Sequence, residues 1–270
     1  MATRTAQATT VLLASFVTGL VGTAFAASAA VLRARGLSDA QYGSLFVPLV
    51  TLAALGAVGG GAVVERIGAK RALALGFLFM ALSQVALAAT PFAGASLVYP
   101  VALLGTALLG LGAGVSAGPI NAYPQVLFPS HSESAVVTMH ATVGVGLAIT
   151  PLLAGAALAR GAWLAVPFLL FLANAALLVM VEREDLPEPE VRGEVRSRPI
   201  GDAGLRLFLA IAFLYGVSES IYGNWAVLHL TEERGLDVAA AGLALASFWA
   251  ALTVGRFAVA AVVLRVPPAR

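Results

Sequence analysis

The longest uncharged stretch of this chain, residues 72–130, constrains the fold more than any other feature of the sequence. A membrane-spanning helix needs about 20 apolar residues, so this stretch has room for two such helices. The turn sequence TPFAG, residues 90–94, divides them. Only 11% of the 270 residues are charged and 60% are hydrophobic, whereas a soluble domain carries about 25% charged residues. A soluble fold of this size could not bury so much apolar side chain, so we predict an all-α integral membrane protein.

Eight apolar segments are long enough to span a bilayer. Their predicted bounds are Thr10–Val31, Tyr42–Val64, Ala72–Ala89, Leu97–Leu127, Ala135–Leu158, Trp163–Val181, Leu207–Leu230 and Ala240–Leu264. A hydrophilic stretch with three prolines and mixed charges separates the sixth span from the seventh. We therefore predict a bundle of six helices over residues 1–182, a flexible cytoplasmic linker over 183–204, and two further helices over 205–270.

The distribution of basic residues predicts the orientation, because Lys and Arg favour cytoplasmic loops. If the N-terminus is cytoplasmic, eleven of the 16 Lys and Arg residues lie in cytoplasmic segments and four in outer loops, while Arg256 lies inside the eighth span. The prediction is a multi-pass protein of the cell membrane with a cytoplasmic N-terminus. A net charge of +2, placed in this way, does not indicate binding to nucleic acid.

The residues needed for most enzymatic chemistry are scarce. The chain has no cysteine, and its three histidines, His131, His140 and His229, do not have the spacing of a metal site. Ser-centred nucleophile motifs and Gly-rich phosphate loops are absent from the sequence. We therefore expect a protein that is not an enzyme and that has no metal and no cofactor.

An internal repeat relates the two ends of the chain. The sequence GLSDAQYG, residues 36–43, returns as GLDVAAAG, residues 235–242, with an offset of 199. The same offset pairs Arg35 with Arg234 and Arg66 with Arg265. The second copy stops where the first reaches Arg71, so we expect a complete first repeat of six helices and only the first two helices of the second. On this interpretation the chain is truncated, and four helices are missing.

A tight pattern of glycines and charges lies between the second and third spans: Gly61, Glu65, Arg66, Gly68, Lys70 and Arg71. The pattern resembles the loop signature of the major facilitator superfamily. Six helices, a charged linker and a second repeat fit the same family, so the resemblance covers the whole chain. It implies two helical bundles that rock around a central site, with this loop as a cytoplasmic gate. In that family the acidic residue, here Glu65, pairs with a neighbouring Arg and with the N-terminus of the eleventh helix. The alternative is a basic loop that only sets topology.

Glu219 is the one acidic residue well inside a span. A charge at the bilayer centre costs about 2.5–3.5 kcal/mol, so Glu219 is expected to face a cavity or a partner. Two hypotheses stay open: a site that binds a proton or the substrate, and a structural ion pair with Arg256 of the eighth span. The remaining candidates for substrate or proton binding are Asn224, Trp225, Asn121 and His140.

Several of these candidates have a second interpretation. Polar residues such as Asn121 and His140 more often form a hydrogen bond between helices than contact a ligand, and Trp225 is equally explained by anchoring at the membrane interface. Glu219 with Trp225, Asn121, and His140 with the glycines that follow it are similar to the fucose-permease-like sugar branch of the superfamily. Proton-coupled members of that branch carry acidic residues in the first and fourth helices, and this sequence has neither.

The predicted function is secondary active transport of a small polar solute, such as a sugar or a related metabolite, with protons as the coupling ion in one version. The alternatives are export of drugs or metabolites by the same superfamily, and a truncated membrane protein that does not transport. The expected partners are the solute, the lipid bilayer and protons. Either self-association or the missing C-terminal helices would cover the exposed face of the last two helices.

Overall fold

The computed structural model describes residues 4–189 and 203–263, and all regular structure within these ranges is helical. In the described part of the chain, eight helices are long and apolar enough to cross a membrane, which agrees with the prediction. They are α1 (Arg4–Ala34), α2 (Asp39–Ile67), α3 (Ala69–Ala89), α4 (Val98–Leu127), α5 (Ser132–Leu158), α6 (Ala165–Arg183), α7 (Ala203–Leu228) and α8 (Val238–Val263). A short π-helical turn, His229–Glu233, follows α7.

The first helix is interrupted twice in its second half. Its regular segments are separated at Thr23 and at Ser28, and both side chains bond to other helices. Thr23 Oγ1 donates to the Leu147 carbonyl of α5 at 3.2 Å, and the indole of Trp163, just before α6, donates to Ser28 Oγ at 3.0 Å. These two bonds link the second half of α1 to α5 and to the segment before α6. The interruptions therefore join α1 to the rest of the first bundle.

Small residues bring the helices of the first bundle into close contact. A Cβ at Gly110 or Gly114 of α4 would meet the backbone of α2 near Leu49 and Ala53, so only glycine fits there. This geometry is typical of helix packing in membranes, where a small side chain lets two backbones approach. Gly118, one turn further along α4, has no heavy atom within 4 Å of such a Cβ, so the close contact of α4 with α2 ends before it.

The last two helices are unequally supported. α8 packs along α5 and also contacts α7, whereas α7 contacts the first bundle at the end of α1 and, through Trp225, at Tyr42 of α2. The first half of α7 exposes six large apolar side chains: Leu207, Phe208, Leu209, Ile211, Phe213 and Leu214. The two parts of the chain therefore meet where the end of α1 contacts α7, and we interpret the space between them as a cleft that is closed at this end and open at the end where α7 begins.

The start of the predicted linker is packed against the first bundle. α6 continues to Arg183, Leu186 is buried, and Gln7 of α1 donates to the Asp185 carbonyl at 2.6 Å. Residues 190–202 of that linker and residues 264–270 lie outside the described residues. The proposed division into 1–182, 183–204 and 205–270 stays a prediction.

The repeat found in the sequence has a local counterpart in the structure. Gly36 and Gly235, which are 199 residues apart, both adopt a positive φ, of 92° and 67°. Two residues later, Ser38 and Asp237 each accept a hydrogen bond from the backbone N–H three residues further on, at 3.2 and 2.8 Å. Side-chain caps of this kind fix the N-terminus of a helix. The turns before α2 and before α8 thus have the same construction.

Candidate functional site

Gly68 determines the shape of the loop between α2 and α3. Its φ of 85° and ψ of 157° lie in a region that is essentially open only to glycine. The first N–H of α3, from Ala69, donates to Glu188 Oε2 at 2.8 Å, and Lys70 Nζ donates to the Glu182 carbonyl at 2.9 Å. A carboxylate at a helix N-terminus satisfies an unpaired N–H group and interacts favourably with the helix dipole. The segment after α6 therefore holds this loop.

The other charges of the loop project into the surroundings. Glu65, Arg66 and Arg71 are exposed, and among the described residues Glu65 has no ion pair and no side-chain hydrogen bond. The pair between Glu65 and a neighbouring Arg, which the resemblance implied, is therefore not formed. The reason is geometric, because the last turn of α2 directs Glu65 outward. Gly61 is exposed as well, with no heavy atom within 4 Å of a Cβ placed there.

A polar cluster joins α7 and α8 within the predicted spans. One Nη of Arg256 donates to Glu219 Oε1 at 3.2 Å and to the Tyr215 hydroxyl at 2.9 Å. The Glu219 side chain is 20% exposed and that of Arg256 is 41% exposed, so the pair borders an open space. The predicted contact between Glu219 and Arg256 is present. Tyr215 was missed by the sequence analysis, although it lies four residues before Glu219 and thus on the same helix face.

A second polar pair joins α4 and α5. His140 Nε2 lies 3.1 Å from Asn121 Oδ1, and Asn121 Nδ2 donates to the Ala117 carbonyl of its own helix at 2.8 Å. The predicted hydrogen bond between helices is present for this pair. Both side chains are exposed.

The packing of α5 on α8 brings the two polar groups toward each other. Gly144 of α5 faces Thr253 of α8 so closely that any side chain at 144 would collide with it. The helices run in opposite directions. His140, four residues before Gly144, and Arg256, three residues after Thr253, therefore both lie one turn further toward the open end of the cleft.

Two of the predicted site residues lie elsewhere. Trp225 packs edge to face on Tyr42 of α2, with ring centroids 5.4 Å apart and an interplanar angle of 86°. The Tyr42 hydroxyl donates to the backbone carbonyl of Asn224 at 2.8 Å. Both residues are more than one turn past Glu219 toward the closed end of the cleft, so the structure does not bring them into the polar cluster. A cavity of about 660 Å³ is lined by Trp225, Tyr222 and Phe248, and neither Glu219 nor Arg256 is among the residues that line it.

The comparisons with known proteins decide the family. A model described as "Major Facilitator Superfamily" matches residues 11–270. The chain belongs to the major facilitator superfamily. No curated protein matches the sequence. The predicted fold class is confirmed, and the chain is a multi-pass membrane protein by family and by its eight candidate spans.

Three solved structures share the fold. A D-xylose-proton symporter matches with a TM-score of 0.65 and 14% identity over 93% of this chain and 66% of its own length. A bacterial homologue of the human drug peptide transporters PepT1 and PepT2 matches with a TM-score of 0.57 and 19% identity, over 82% of this chain and 50% of that one. A peptide transporter, POT, solved as a mutant in complex with sulfate, matches with a TM-score of 0.55 and 17% identity, over 80% of this chain and 46% of that one. The chain thus spans two thirds or less of the length of these structures.

Proposed function

We propose that this chain serves in secondary active transport of a small polar solute, such as a sugar, across the cell membrane. The observation that carries the proposal is the convergence of charged and hydrogen-bonding side chains from α4, α5, α7 and α8 on a cleft that is open at one end. Solute sites of such transporters lie near the bilayer midplane, between two bundles that move against each other. Membership of the superfamily and the likeness to sugar and peptide transporters support the same function.

The pair of Glu219 and Arg256 gives this cleft a means of coupling solute to protons. Each charge alone would cost about 2.5–3.5 kcal/mol within the bilayer, so the two charges stabilise each other. A proton on Glu219 removes the negative charge and releases the Arg256 guanidinium, whose donors then bind an oxygen of the solute. Loss of the proton re-forms the pair and expels the solute. Asn121, His140 and Tyr215 supply further hydrogen bonds to the solute.

The orientation and the gate belong to the same proposal. With the N-terminus in the cytoplasm, the cleft opens to the cytoplasm, at the end where the loop of Glu65–Arg71 lies. This loop acts as the gate when a second bundle closes on it. The exposed half of α7 is then covered either by the remaining helices of a second repeat or by another copy of the chain. The basic residues concentrated on this side support the orientation.

Binding of a solute panel to the purified protein tests the site. We expect a sugar to raise the melting temperature in detergent, and we expect its apparent affinity to depend on pH. Glu219→Gln, which keeps the shape and the acceptor oxygen, removes that pH dependence. Arg256→Gln weakens binding about tenfold or more, since a charged hydrogen bond contributes about 1.5–3 kcal/mol.

Glu233→Gln is the matched control, because Glu233 is exposed, pairs with His229 at 3.1 Å and lies outside the cluster. Uptake into proteoliposomes under a proton gradient gives a second readout. Binding that is equal in the Glu219, Arg256 and Glu233 variants would refute the proposed site. Binding of amphipathic drugs with no binding of sugars would favour the exporter over the sugar transporter.

A further inference from the structure

The cavity beside α7 and α8 is a second space of ligand size, separate from the polar cluster. Its volume is about 660 Å³, and pockets for drug-sized ligands commonly measure about 300–1,000 Å³. Neither Glu219 nor Arg256 lines it. Its apolar wall includes Ile221, Tyr222, Trp225, Ala226, Ala244 and Phe248. A ligand in this cavity therefore would not touch the pair that we assign to the solute.

Aromatic rings form a large part of this wall. Tyr222 of α7 stacks on Phe248 of α8, with ring centroids 5.5 Å apart and an interplanar angle of 24°. Trp225 lies one turn after Tyr222 on the same face of α7, and its edge-to-face contact with Tyr42 of α2 holds it in place. The faces of aromatic rings carry partial negative charge and attract cations, Trp most strongly. The wall therefore suits a ligand that is both apolar and positively charged.

Three carboxylates lie at the polar end of the same cavity, those of Asp39, Glu232 and Glu233. The residues that line it, all in the described part of the chain, include no Lys and no Arg. Arg33, at the end of α1, lies 2.9 Å from an oxygen of Asp39 and 2.9 Å from one of Glu232. Arg33 lines a neighbouring cavity instead, and Glu232 borders both. The carboxylates thus face the cavity, whereas the guanidinium group that pairs with two of them does not.

The charges around the polar end do not balance. His229 Nδ1 lies 3.1 Å from Glu233 Oε2, and Arg234 Nε donates to His229 Nε2 at 3.5 Å. A ring nitrogen that accepts carries no proton, so His229 is neutral in this arrangement. Two guanidinium groups then face three carboxylates, which leaves one negative charge. Asp39 and Glu233 each use one oxygen in these pairs, and within the described ranges the other oxygen has no partner.

We propose that this cavity binds an amphipathic monocation, with an ammonium group at the three carboxylates and an apolar body against the aromatic wall. The positive charge balances the negative charge that the two guanidinium groups leave, and an anion of the same shape is repelled. The ammonium group can belong to a soluble amine or to a lipid headgroup, because both present the same chemistry. The site is independent of the proposed transport function.

A matched pair of ligands tests the need for the charge. The probe is a phenylpropyl trimethylammonium ion, and its control is the neutral analogue in which carbon replaces the nitrogen. Equilibrium dialysis measures the binding of both to the purified protein in nanodiscs of phosphatidylglycerol. Contacts with the rings and the carboxylates should make the cation bind about fivefold or more tightly than the neutral analogue. Equal affinities would refute the proposal, and so would a parent protein that does not bind the cation.

Variants of the lining test where the charge is recognised. Glu233→Gln and Asp39→Asn should each weaken binding of the cation by up to about fivefold, and Trp225→Leu should weaken it about two- to fivefold. Glu133→Gln is the matched control, since Glu133 is an exposed carboxylate of α5 that does not line the cavity. The proposal fails if the two carboxylate variants bind the cation as tightly as this control does.

Filling the cavity tests its location. Ala244 of α8 lines it and Ala250, exposed on the same helix, does not, so Ala244→Phe should abolish binding and Ala250→Phe should leave it unchanged. Equal binding by these two variants would show that the probe binds elsewhere and would overturn the proposal. Glu219→Gln should bind the cation as the parent does. Loss of sugar binding in Glu219→Gln together with normal cation binding would separate the two sites.

The lipid around the protein distinguishes the two sources of the ammonium group. In nanodiscs of phosphatidylethanolamine, a headgroup that occupies the cavity competes with the probe, and the apparent affinity falls relative to phosphatidylglycerol. The competition should be lost in Glu233→Gln if it arises in this cavity. Competition of this kind identifies the lipid as the natural occupant, whereas equal affinity in the two lipids identifies a soluble amine.

Discussion

Replacing Gly68 with alanine tests the loop between α2 and α3 most directly. A residue with a Cβ at φ 85° and ψ 157° is strained by about 1–3 kcal/mol. The new Cβ would also lie 2.8 Å from Glu188 Oε1, so the carboxylate must move and its bond to the Ala69 N–H weakens. Glu188 is exposed, so the interaction of its charge with the helix N-terminus contributes only about 0.5–1 kcal/mol. We expect Gly68→Ala to lower the free energy of unfolding by about 1.5–4 kcal/mol, the sum of these terms.

Reversible unfolding in SDS, followed by fluorescence of the three tryptophans, measures this loss. Gly61→Ala is the matched control in the same sequence pattern. Gly61 lies within helix α2, is exposed and meets no heavy atom within 4 Å of a new Cβ, so alanine there should stabilise the protein by up to about 1 kcal/mol. The two glycines of one motif should thus respond in opposite directions.

A double-mutant cycle tests the part of the argument that involves Glu188. Glu188→Gln alone removes the charge and should cost about 0.5–1 kcal/mol. Combined with Gly68→Ala, it should cost less than the sum of the single variants, because the alanine has already displaced the carboxylate. The reasoning is refuted if Gly68→Ala is as stable as Gly61→Ala. If the losses of unfolding free energy in Gly68→Ala and Glu188→Gln simply add in the double variant, the predicted strain at Gly68 stands, but the predicted clash of the alanine with Glu188 is refuted.

Two further predictions concern helix packing and orientation. Gly144→Ala should destabilise the contact of α5 with α8 by about 1–3 kcal/mol in the same SDS titration, because it overpacks this contact. Adding Thr253→Ala should recover part of the lost stability. A single variant that loses no stability would contradict this close contact. In intact cells, a cysteine at Gly94, which is exposed between α3 and α4, should react with an impermeant thiol reagent, whereas a cysteine at Arg71 should not. The reverse result would overturn the proposed cytoplasmic N-terminus.

The spanning helices were predictable because the thickness of the bilayer sets both the length of the apolar segments in the sequence and the length of the helices. All eight predicted segments correspond to helices in the described part of the chain. The bounds differ most for the first helix, predicted as Thr10–Val31 and observed as Arg4–Ala34. A hydropathy pattern marks the apolar part of a helix, whereas the backbone hydrogen bonds continue into polar residues such as Arg33 at its end. The side chains at the interruptions, Thr23 and Ser28, bond to Leu147 of α5 and to Trp163 just before α6, and no local sequence pattern contains these partners.

The site was only partly predictable for the same reason. An unpaired charge in the bilayer is costly, so two opposite charges in neighbouring spans are expected to pair. The contact of Glu219 with Arg256 was predictable for this reason. Tyr215 could have been found from its position four residues before Glu219. Glu188 could not, because its partner Ala69 is 119 residues away and the surrounding prolines and charges are typical of a linker. The sequence analysis missed the ion pair of Arg33 with Glu232, which are 199 residues apart. The repeat was recognised from identical residues at this offset, whereas Arg33 and Glu232 carry opposite charges.

The charged residues at the two ends of the cleft differ in whether they form an ion pair. At the closed end, Arg33 is paired across the two halves with Glu232, while at the open end Glu65 has no partner among the described residues. When two halves rock about a central site, they separate at one end as they meet at the other, so pairs between the halves cannot be formed at both ends at once. A formed pair at Arg33 and an unpaired Glu65 are compatible with one conformation of the proposed transporter. Water solvates the unpaired charges at little cost, since exposed ion pairs contribute only about 0–1 kcal/mol. In the proposed transport cycle, the two conformations would therefore be close in free energy, and a bound solute would be enough to shift the balance between them.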